Sequence, residues 1–263
     1  MLSLEYLLEE AESNGLPILK KRGILREYLQ VIILSNIYKH RYGEAMFFTG
    51  GTALRFFYNM PRFSEDLDFN TPGLAYEDFM KMLEWVKKGL LKEGIPVDIS
   101  SEERGNLYVA ELLFEDLMRL YKITDARGLD LMVKIEVYKP LWDMRSEHGV
   151  LSLYGYNVSS ILLEKGCLFS EKLSALLNRR RGRDIYDVLF LLKKKFPFDN
   201  GVLKANNIED PPAAVISKHL KNLSEKELKF LANQVKPFLF KEDDAGLVFN
   251  AVSYSERFLR EYN

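Results

Sequence analysis

The sequence is poor in the residues that mark secreted, zinc-binding and membrane-spanning proteins. Its 263 residues include one cysteine, Cys167, which excludes a disulfide within the chain and fits a reducing compartment. The three histidines, His40, His148 and His219, are too widely separated for the usual spacing of zinc ligands. No run approaches the roughly 18 apolar residues of a membrane span, and the acidic start does not resemble a signal peptide. These absences predict a cytoplasmic protein without a membrane anchor.

The sequence also lacks an excess of charge of either sign. It has 37 basic and 38 acidic residues, for a net charge of -1. Overall charge therefore does not favour a nucleic-acid partner, and any basic surface must be local. The hydrophobic fraction of 47% is that of an ordinary globular protein, and the length suffices for one large domain or two modest ones.

The hydrophobic pattern changes near residue 160. Before that point, segments with helical spacing are mixed with segments whose apolar residues recur at every second position, as in strands. Predicted helices include Lys20 to Tyr42, a segment from Thr52, and Tyr76 to Gly94; predicted strands include residues 44–49, 64–70, 96–103, 106–115 and 129–139. We predict a domain of helices and strands over residues 1–160, then a helical domain over residues 161–263.

Acidic side chains crowd into the segment SEDLDFN, residues 64–70. On a strand, Asp66 and Asp68 point to one face, roughly 7 Å apart, while Leu67 and Phe69 point to the other. Glu65 is predicted to be a solvated neighbour at the edge. Two aspartates aimed at one spot suit Mg²⁺ or Mn²⁺, which prefer oxygen ligands and serve phosphoryl transfer. The alternative is an exposed strand face without a function.

A glycine turn precedes these acids. The apolar run that ends at Gly50, Gly51 and Thr52 predicts a strand, a turn and a helix start, where backbone N–H groups can hold an anion. Thr52 can cap this helix or hydrogen-bond a phosphate. A plain tight turn is the alternative, but together with the acids the turn predicts a triphosphate site beside a metal.

The strand LDLMVKIEVYK supplies a candidate third carboxylate. Glu136 faces away from the apolar residues of this strand, and Lys134 lies on the same face as a candidate nucleotide contact. The alternative is a surface ion pair between these two residues, which would contribute little stability.

Charged residues also lie opposite the apolar stripes of two predicted helices in the second half. Lys172 can offset triphosphate charge, and it shares a face with Arg179. Arg183 and Asp187 are predicted to form an ion pair of about 0.3–0.5 kcal/mol, with Asp184 bracing a nearby arginine. The densest basic cluster of the chain is a candidate contact for an RNA backbone, with a charged helix end as the alternative. It consists of Arg179, Arg180, Arg181 and Arg183.

Three ordered blocks resemble the DNA polymerase β-type nucleotidyltransferase superfamily and, more closely, its AbiEii type IV toxin family. The blocks are FTGGTALR followed by RFSEDLDF, the strand VKIEV, and EKLSALLNRRRGRDIYDVLFLL, and they fall within residues 47–192. The resemblance implies an α+β fold, in which a nucleotidyltransferase core with a mixed sheet and flanking helices precedes a C-terminal helical lobe. It also implies transfer of a nucleotide from a nucleoside triphosphate to RNA, in some members the tRNA 3′ end, and neutralisation by a cognate antitoxin.

The resemblance also implies roles for individual residues. Gly51 and Thr52 would contact the triphosphate, Lys172 would reach phosphate, Asp66 and Asp68 would bind metal with Glu136 as the third acid, and Asp187 would be a further polar group of the active site. The serine that usually follows the glycines is replaced by Thr52, which keeps a hydroxyl group.

Other functions remain open at this point. Glycosyltransferases also use Asp-x-Asp with a metal, although the glycine turn before the acids argues against that class. A non-catalytic protein of the same fold, which binds a nucleotide or a partner, is a further possibility, as is a transferase with a protein or small-molecule acceptor. Which nucleotide, acceptor and antitoxin the protein uses cannot be read from the sequence.

Overall fold

A computed structural model describes residues 1–126 and 128–262 and divides them into two compact units. The first unit comprises residues 1–59, 63–140 and 146–162. The second comprises residues 60–62, 141–145 and 163–263, of which the last residue is outside the described part. Within the described residues, no helix has both the length and the apolar character that crossing a membrane requires.

The first unit is built on a mixed sheet. Its strands are β1 Phe47–Thr49, β2 Leu67–Asn70, β3 Asp98–Arg104, β4 Leu107–Phe114, β5 Leu131–Tyr138, β6 Ser146–Leu153 and β7 Tyr156–Leu163. Its helices are α1 Leu4–Ser13, α2 Lys21–Lys39, α3 Gly50–Tyr58, α4 Tyr76–Lys92 and α5 Leu117–Leu120. The described residues give the strand order β3-β4-β5-β2-β1-β7-β6. Strand β2 is antiparallel to β1 but parallel to β5, and β7 is parallel to β1.

The two faces of this sheet differ in burial. On β5, Leu131, Val133, Ile135 and Val137 are fully buried, while the residues between them are half-buried or exposed. Helix α4 covers the buried face, because Phe79 stacks on Tyr108 of β4 with ring centroids 5.6 Å apart. The alternation in the sequence therefore separates a core face from a face that carries polar side chains.

A buried ion pair joins α2 to α3. Arg55 of α3 donates two hydrogen bonds to the carboxylate of Glu27 on α2, at 3.0 and 3.1 Å. Both side chains are buried, so removing either one would leave an uncompensated charge in the core. This pair fixes α3, the helix that begins at the glycine turn.

The second unit is helical. Its helices are α6 Lys165–Asn178, α7 Gly182–Lys193, α8 Asn200–Ala205, α9 Pro212–Lys221, α10 Glu225–Val235, α11 Gly246–Phe249 and α12 Ala251–Tyr262. Helix α10 begins with a capping box, in which Ser224 and Glu227 satisfy each other's backbone N–H groups. Helix α7 starts at Gly182, where an added Cβ would lie 1.9 Å from the carbonyl oxygen of Leu231. A glycine is therefore needed for the close packing of α7 on α10.

The fold agrees with the predicted fold class, a mixed sheet with flanking helices. The predicted strands correspond to β1–β5, whereas β6 and β7 were not predicted. The helix expected to start at Thr52 begins two residues earlier, at Gly50, with Thr49 as its N-cap. Thr52 is therefore inside the first turn of the helix and does not cap it.

Candidate active site

The glycine turn and the acidic strand meet at one point. Gly50 has a φ of +75°, a conformation that favours glycine. A Cβ built on Gly50 would lie 1.9 Å from Oδ2 of Asp68, so the backbone of the turn lies directly against this carboxylate. Because β1 and β2 are antiparallel, the end of β1 is also paired with the strand that carries the acids, with Thr49 opposite Asp68. The turn therefore lies beside the acids, as the sequence predicted.

A second contact joins the turn to the acids. The hydroxyl of Thr52 is buried and donates a short hydrogen bond to the backbone carbonyl of Asp66. This bond fixes the segment before β2 against the first turn of α3. In this arrangement the proton of the Thr52 hydroxyl is already used, while Gly51 directly precedes it in the helix start.

Asp68 and Glu136 are direct neighbours across two strands. The parallel pairing of β2 and β5 places Asp68 opposite Glu136. Such partners lie about 4.8 Å apart and point to the same face of the sheet. Asp66, Asp68 and Glu136 are all half-buried, whereas Leu67 between the aspartates is fully buried. Asp68 and Glu136 thus share the polar face, Asp66 directly precedes the strand, and an all-oxygen set of this kind suits Mg²⁺.

Lys134 follows the predicted alternation and lies on the same face as Glu136. Its Nζ is 3.7 Å from a carboxylate oxygen of Glu111 on β4, so Glu136 is not its ion-pair partner here. The alternative considered from the sequence, a surface pair between Lys134 and Glu136, is therefore not the pair that forms. Since both Lys134 and Glu111 are partly exposed, this ion pair contributes little to stability.

Glu65 is not simply solvated, which corrects the prediction. Arg26 of α2 pairs with Glu65 at 2.9 Å. Burial lowers the pKa of the Arg26 guanidinium, and repulsion from Arg22 lowers it further, while attraction to Glu65 and Asp66 opposes these shifts. Arg26 therefore holds the acidic segment from the α2 side, next to the first carboxylate of the site.

Asp187 lies at the centre of an ion-pair cluster in the second unit. Its side chain is fully buried, and Arg62 binds both of its carboxylate oxygens at 2.8 Å. Lys172 of α6 lies 2.8 Å from one of these oxygens. Burial raises the pKa of Asp187, but the two cations outweigh that effect and hold it at about 2. The predicted pair between Arg183 and Asp187 is therefore wrong.

Asp184 lies one turn before Asp187 on α7. It is buried, and its Oδ2 has no hydrogen-bond partner among the described residues. Burial raises the pKa of Asp184, an effect that attraction to Lys172 opposes and repulsion from Asp187 reinforces. Attraction to Arg179 and Arg181 also opposes the shift, so Asp184 is a buried acid that interacts with Arg179, one of the two arginines, Arg179 and Arg180, that it was predicted to brace.

The four clustered arginines have different environments. Arg179, Arg180 and Arg181 are exposed in the loop between α6 and α7. Arg183 instead lies over the ring of Phe238, with its Cζ 4.6 Å from the ring centroid. Three of the four predicted nucleic-acid contacts are thus accessible, whereas Arg183 packs within the helical unit.

Another group of side chains has the spacing of metal ligands, but its carboxylates already form ion pairs with an arginine. Glu164, Cys167 and Asp199 have their ligand atoms within 4.8 Å of one another. The guanidinium of Arg145 already pairs with both carboxylates. Burial raises the pKa of the Cys167 thiol to about 11, so the thiol stays protonated at neutral pH. The two carboxylates of this group are therefore neutralised by Arg145. Sequence reasoning did not identify the group.

Arg26 and Arg62, which bind the predicted site acids Glu65 and Asp187, were also missed by sequence reasoning. Arg62 opens the block RFSEDLDF, but no periodicity connects it to Asp187, 125 positions further along. Arg26 lies on the polar side of a strongly apolar helix. Only the contacts themselves identify either residue.

A sheet that presents paired carboxylates beside a glycine turn at a helix start is the arrangement of a nucleotidyltransferase. A family model described as nucleotidyl transferase AbiEii toxin, type IV TA system, matches residues 32–139 and 166–245. The chain belongs to this family of nucleotidyltransferase toxins. No curated protein matches the chain in sequence.

Solved structures of low sequence identity share the fold. MenT4, a nucleotidyltransferase toxin from Mycobacterium tuberculosis H37Rv, is similar with a TM-score of 0.60 and 16% identity, over 100% of this chain and 91% of that one. JHP933 from Helicobacter pylori is similar with a TM-score of 0.56 and 19% identity, over 91% and 93% of the two chains. At these identities the likeness concerns the fold.

Proposed function

We propose that the protein is a Mg²⁺-dependent toxin that transfers a nucleoside monophosphate from a nucleoside triphosphate to the 3′-hydroxyl of an RNA, with tRNA as the preferred acceptor. The observation that carries this proposal is the pairing of Asp68 with Glu136 directly beside Gly50. This pairing brings two features together on one side of the sheet. The helix start can hold phosphates, and the carboxylates can hold a divalent cation.

The proposed reaction replaces a phosphoanhydride bond of the nucleoside triphosphate with a phosphodiester bond to the RNA. The 3′-oxygen of the RNA bonds to the α-phosphorus while the bond to the β-phosphate oxygen breaks, and pyrophosphate leaves. Glu136 accepts the proton of the attacking hydroxyl. The backbone N–H groups at Gly50 and Gly51 hold the phosphates, and Lys134 adds positive charge beside them.

Asp66, Asp68 and Glu136 would hold Mg²⁺, or Mn²⁺ in its place. When bound, the cation would lower the cost of the charge that develops on the phosphate oxygens. The chain's own contribution is to fix the carboxylates. The Thr52 hydroxyl holds the backbone at Asp66, the Gly50 backbone lies against Asp68, and strand pairing places Glu136.

Lys172 and Asp187 receive different roles in the proposal. Lys172 remains a predicted phosphate contact on the strength of the family resemblance. Both oxygens of Asp187 are already bound by cations, so a direct contact with substrate would require breaking buried ion pairs. We therefore propose that Asp187 positions Lys172 and Arg62. The exposed Arg179, Arg180 and Arg181 are proposed contacts for the RNA backbone.

The test is transfer of labelled nucleotide. The protein is incubated with Mg²⁺, total tRNA and each of the labelled nucleoside triphosphates in turn, and we expect label to enter RNA with one or more of them. Asp68→Asn should lower the rate at least about a hundredfold, since loss of a metal ligand removes several kcal/mol of charge stabilisation.

The control for this test is Asp116→Asn, which changes an exposed aspartate outside the site. It should leave transfer and the unfolding temperature unchanged. If the wild-type protein labels no RNA and no other acceptor, the proposed function is wrong.

A further inference from the structure

The polar face of the sheet continues beyond the acids. Strand pairing places Leu107 of β4 opposite Tyr138 of β5, and Arg104 of β3 opposite Leu107. Tyr138 is two positions after Glu136 on the same strand, so both side chains point to the same face. Neighbouring strands are about 4.8 Å apart, which places the row formed by these three residues within roughly 10 Å.

This row offers an aromatic ring and a cation to solvent. Tyr138 is 38% exposed, whereas Ile135 and Val137, which point to the opposite face of the same strand, are fully buried. Among the described residues, no hydrogen bond holds its phenol group. The Arg104 side chain is 64% exposed and pairs with Glu102 on its own strand. The tip of the β3–β4 hairpin is fixed beside the end of β5, because the Lys139 amide donates to the carbonyl of Asn106 at 2.8 Å.

The order of groups across the sheet gives the row a direction. The glycine turn follows β1, the two aspartates belong to the β2 segment, and Glu136 lies on β5. In-line displacement at phosphorus requires the attacking oxygen and the leaving pyrophosphate on opposite sides of the α-phosphate. With the phosphates at the β1 side and the α-phosphate above the acids, the attacking hydroxyl approaches from the side of β5, β4 and β3.

We propose that Tyr138, Leu107 and Arg104 form an acceptor platform, on which the last base of the RNA stacks while Arg104 neutralises an adjacent phosphate. This proposal rests on the proposed function, because the approach direction follows from the transfer reaction. A base stacked on an exposed aromatic ring gains about 1–3 kcal/mol without sequence readout. Arginine suits a neighbouring phosphate through its planar donor geometry.

The charges of this face are compatible with a polyanion. On this face, Glu102 of β3 is paired with Arg104, and Glu111 of β4 is paired with Lys134. A third acid of the face, Asp98, lies at the opposite end of β3 from Arg104. The hydrogen bond to Glu102, together with attraction to that carboxylate, raises the pKa of Arg104, so its positive charge is retained. The platform lies on the far side of the acids from the glycine turn, which favours the acceptor over the base of the triphosphate as its occupant.

The first test separates the Michaelis constants of the two substrates. Tyr138→Ala should raise KM for tRNA about tenfold through loss of one stacked base, while KM for the nucleoside triphosphate changes less than about twofold. Tyr138→Phe keeps the ring and should behave like the wild type. The matched control is Tyr6→Ala, which removes a tyrosine with 45% exposure on α1 and should change neither constant. A selective rise in KM for the triphosphate, or no change with Tyr138→Ala, overturns the proposal.

A second test does not depend on turnover. A tRNA transcript that ends in 8-azidoadenosine is photo-crosslinked to the wild-type protein, and 8-azido-ATP is used in a parallel reaction. We expect the RNA, but not the ATP analogue, to label the peptide that contains Tyr138. Labelling of this peptide by the ATP analogue alone, or of other peptides by the RNA, rejects the platform. If the wild-type protein transfers no nucleotide, the proposed function fails, and the crosslink still decides whether an RNA end occupies the platform.

Arg104 is tested by salt dependence. Arg104→Gln should reduce the slope of log binding constant against log salt for tRNA by about 0.7, the value for one phosphate of a single strand. Arg119→Gln removes another exposed arginine that pairs with a nearby acid, Asp116, and should leave the slope unchanged. Equal slopes for both variants and the wild type would remove Arg104 from the platform.

Discussion

At position 50, the absence of a side chain allows the turn and the Asp68 carboxylate to lie in direct contact. Two separate requirements coincide there. The φ of +75° disfavours other residues, and the carboxylate occupies the space that a Cβ would need. The sequence predicted the turn and its functional importance, because paired glycines before a helix pattern are a strong local signal. It did not show that Gly50 and Asp68 are in contact.

Substitution of Gly50 tests this contact. Gly50→Ala should lower transfer at least about a hundredfold, because Asp68 must move out of the position where it can hold a cation. The matched control is Gly94→Ala, which has nearly the same φ, +74°, but nothing within 4 Å of the added Cβ. Both variants should lose about 1 kcal/mol of unfolding free energy through backbone strain, and Gly50→Ala should lose more because its Cβ also overlaps the Asp68 side chain; urea denaturation measures both. Equal activities of the two variants would show that the contact is unimportant.

Among the elements, helix α7 carries two aspartates whose pKa values shift in opposite directions. Asp187 is held at about 2 by Arg62 and Lys172 despite its burial, while burial raises the pKa of Asp184. Because folding lowers its pKa, the Asp187 carboxylate stabilises the folded state at pH values above about 3.9, the pKa of an aspartate in the unfolded chain. This contribution is lost as the pH falls toward 2. Folding raises the pKa of Asp184, so its protonated form stabilises the folded state at low pH. This contribution is lost as the pH rises through the pKa that Asp184 has in the folded state.

The two aspartates therefore predict opposite mutational effects. Asp187→Asn should destabilise the protein at pH 7 by about 2.5 kcal/mol or more, since it removes the linkage contribution and leaves two buried cations short of a partner. Asp184→Asn should be neutral or stabilising at pH 7, since an amide avoids the cost of a buried charge. Urea denaturation at pH 4 and pH 7 measures both, and similar losses for the two variants at pH 7 would contradict the assignment.

Helices and strands whose apolar residues recur with a strong period were predicted from the sequence, whereas strands without such a period were missed. Strand β5 was predicted because its buried residues alternate strictly with others. Strands β6 and β7 were not, because β6 is an edge strand with mostly exposed or half-buried residues and β7 mixes polar residues into its buried face. Pairing between elements was equally hidden. The arginine that binds Asp187 is Arg62 and not Arg183. No local pattern indicates this choice, since it depends on three-dimensional packing.

For the whole molecule, the near-zero net charge restricts how RNA can be attracted. With 37 basic and 38 acidic residues, long-range attraction is weak, and affinity must come from local clusters. The exposed run Arg179, Arg180 and Arg181 is the proposed source. Its environment differs from that of Arg183, which packs on Phe238.

Neutralising this run should weaken RNA binding in a salt-dependent way. The triple change of Arg179, Arg180 and Arg181 to glutamine should lower the slope of log binding constant against log salt by about 2, if each arginine meets one phosphate. The matched control changes Lys193, Lys194 and Lys195 to glutamine, since these form another exposed run of three cations. Filter binding of tRNA over a salt series measures both, and the same loss in both variants would point to net charge alone.

The close approach of Gly50 to Asp68 also has a genetic consequence. Every missense change that a single base substitution produces in a glycine codon introduces a Cβ, and at position 50 any Cβ meets the same carboxylate. In a population of cells selected for survival while they express this toxin, codon 50 should therefore accumulate inactivating missense changes of every kind, as the codons of the acids do, although it encodes no functional side chain.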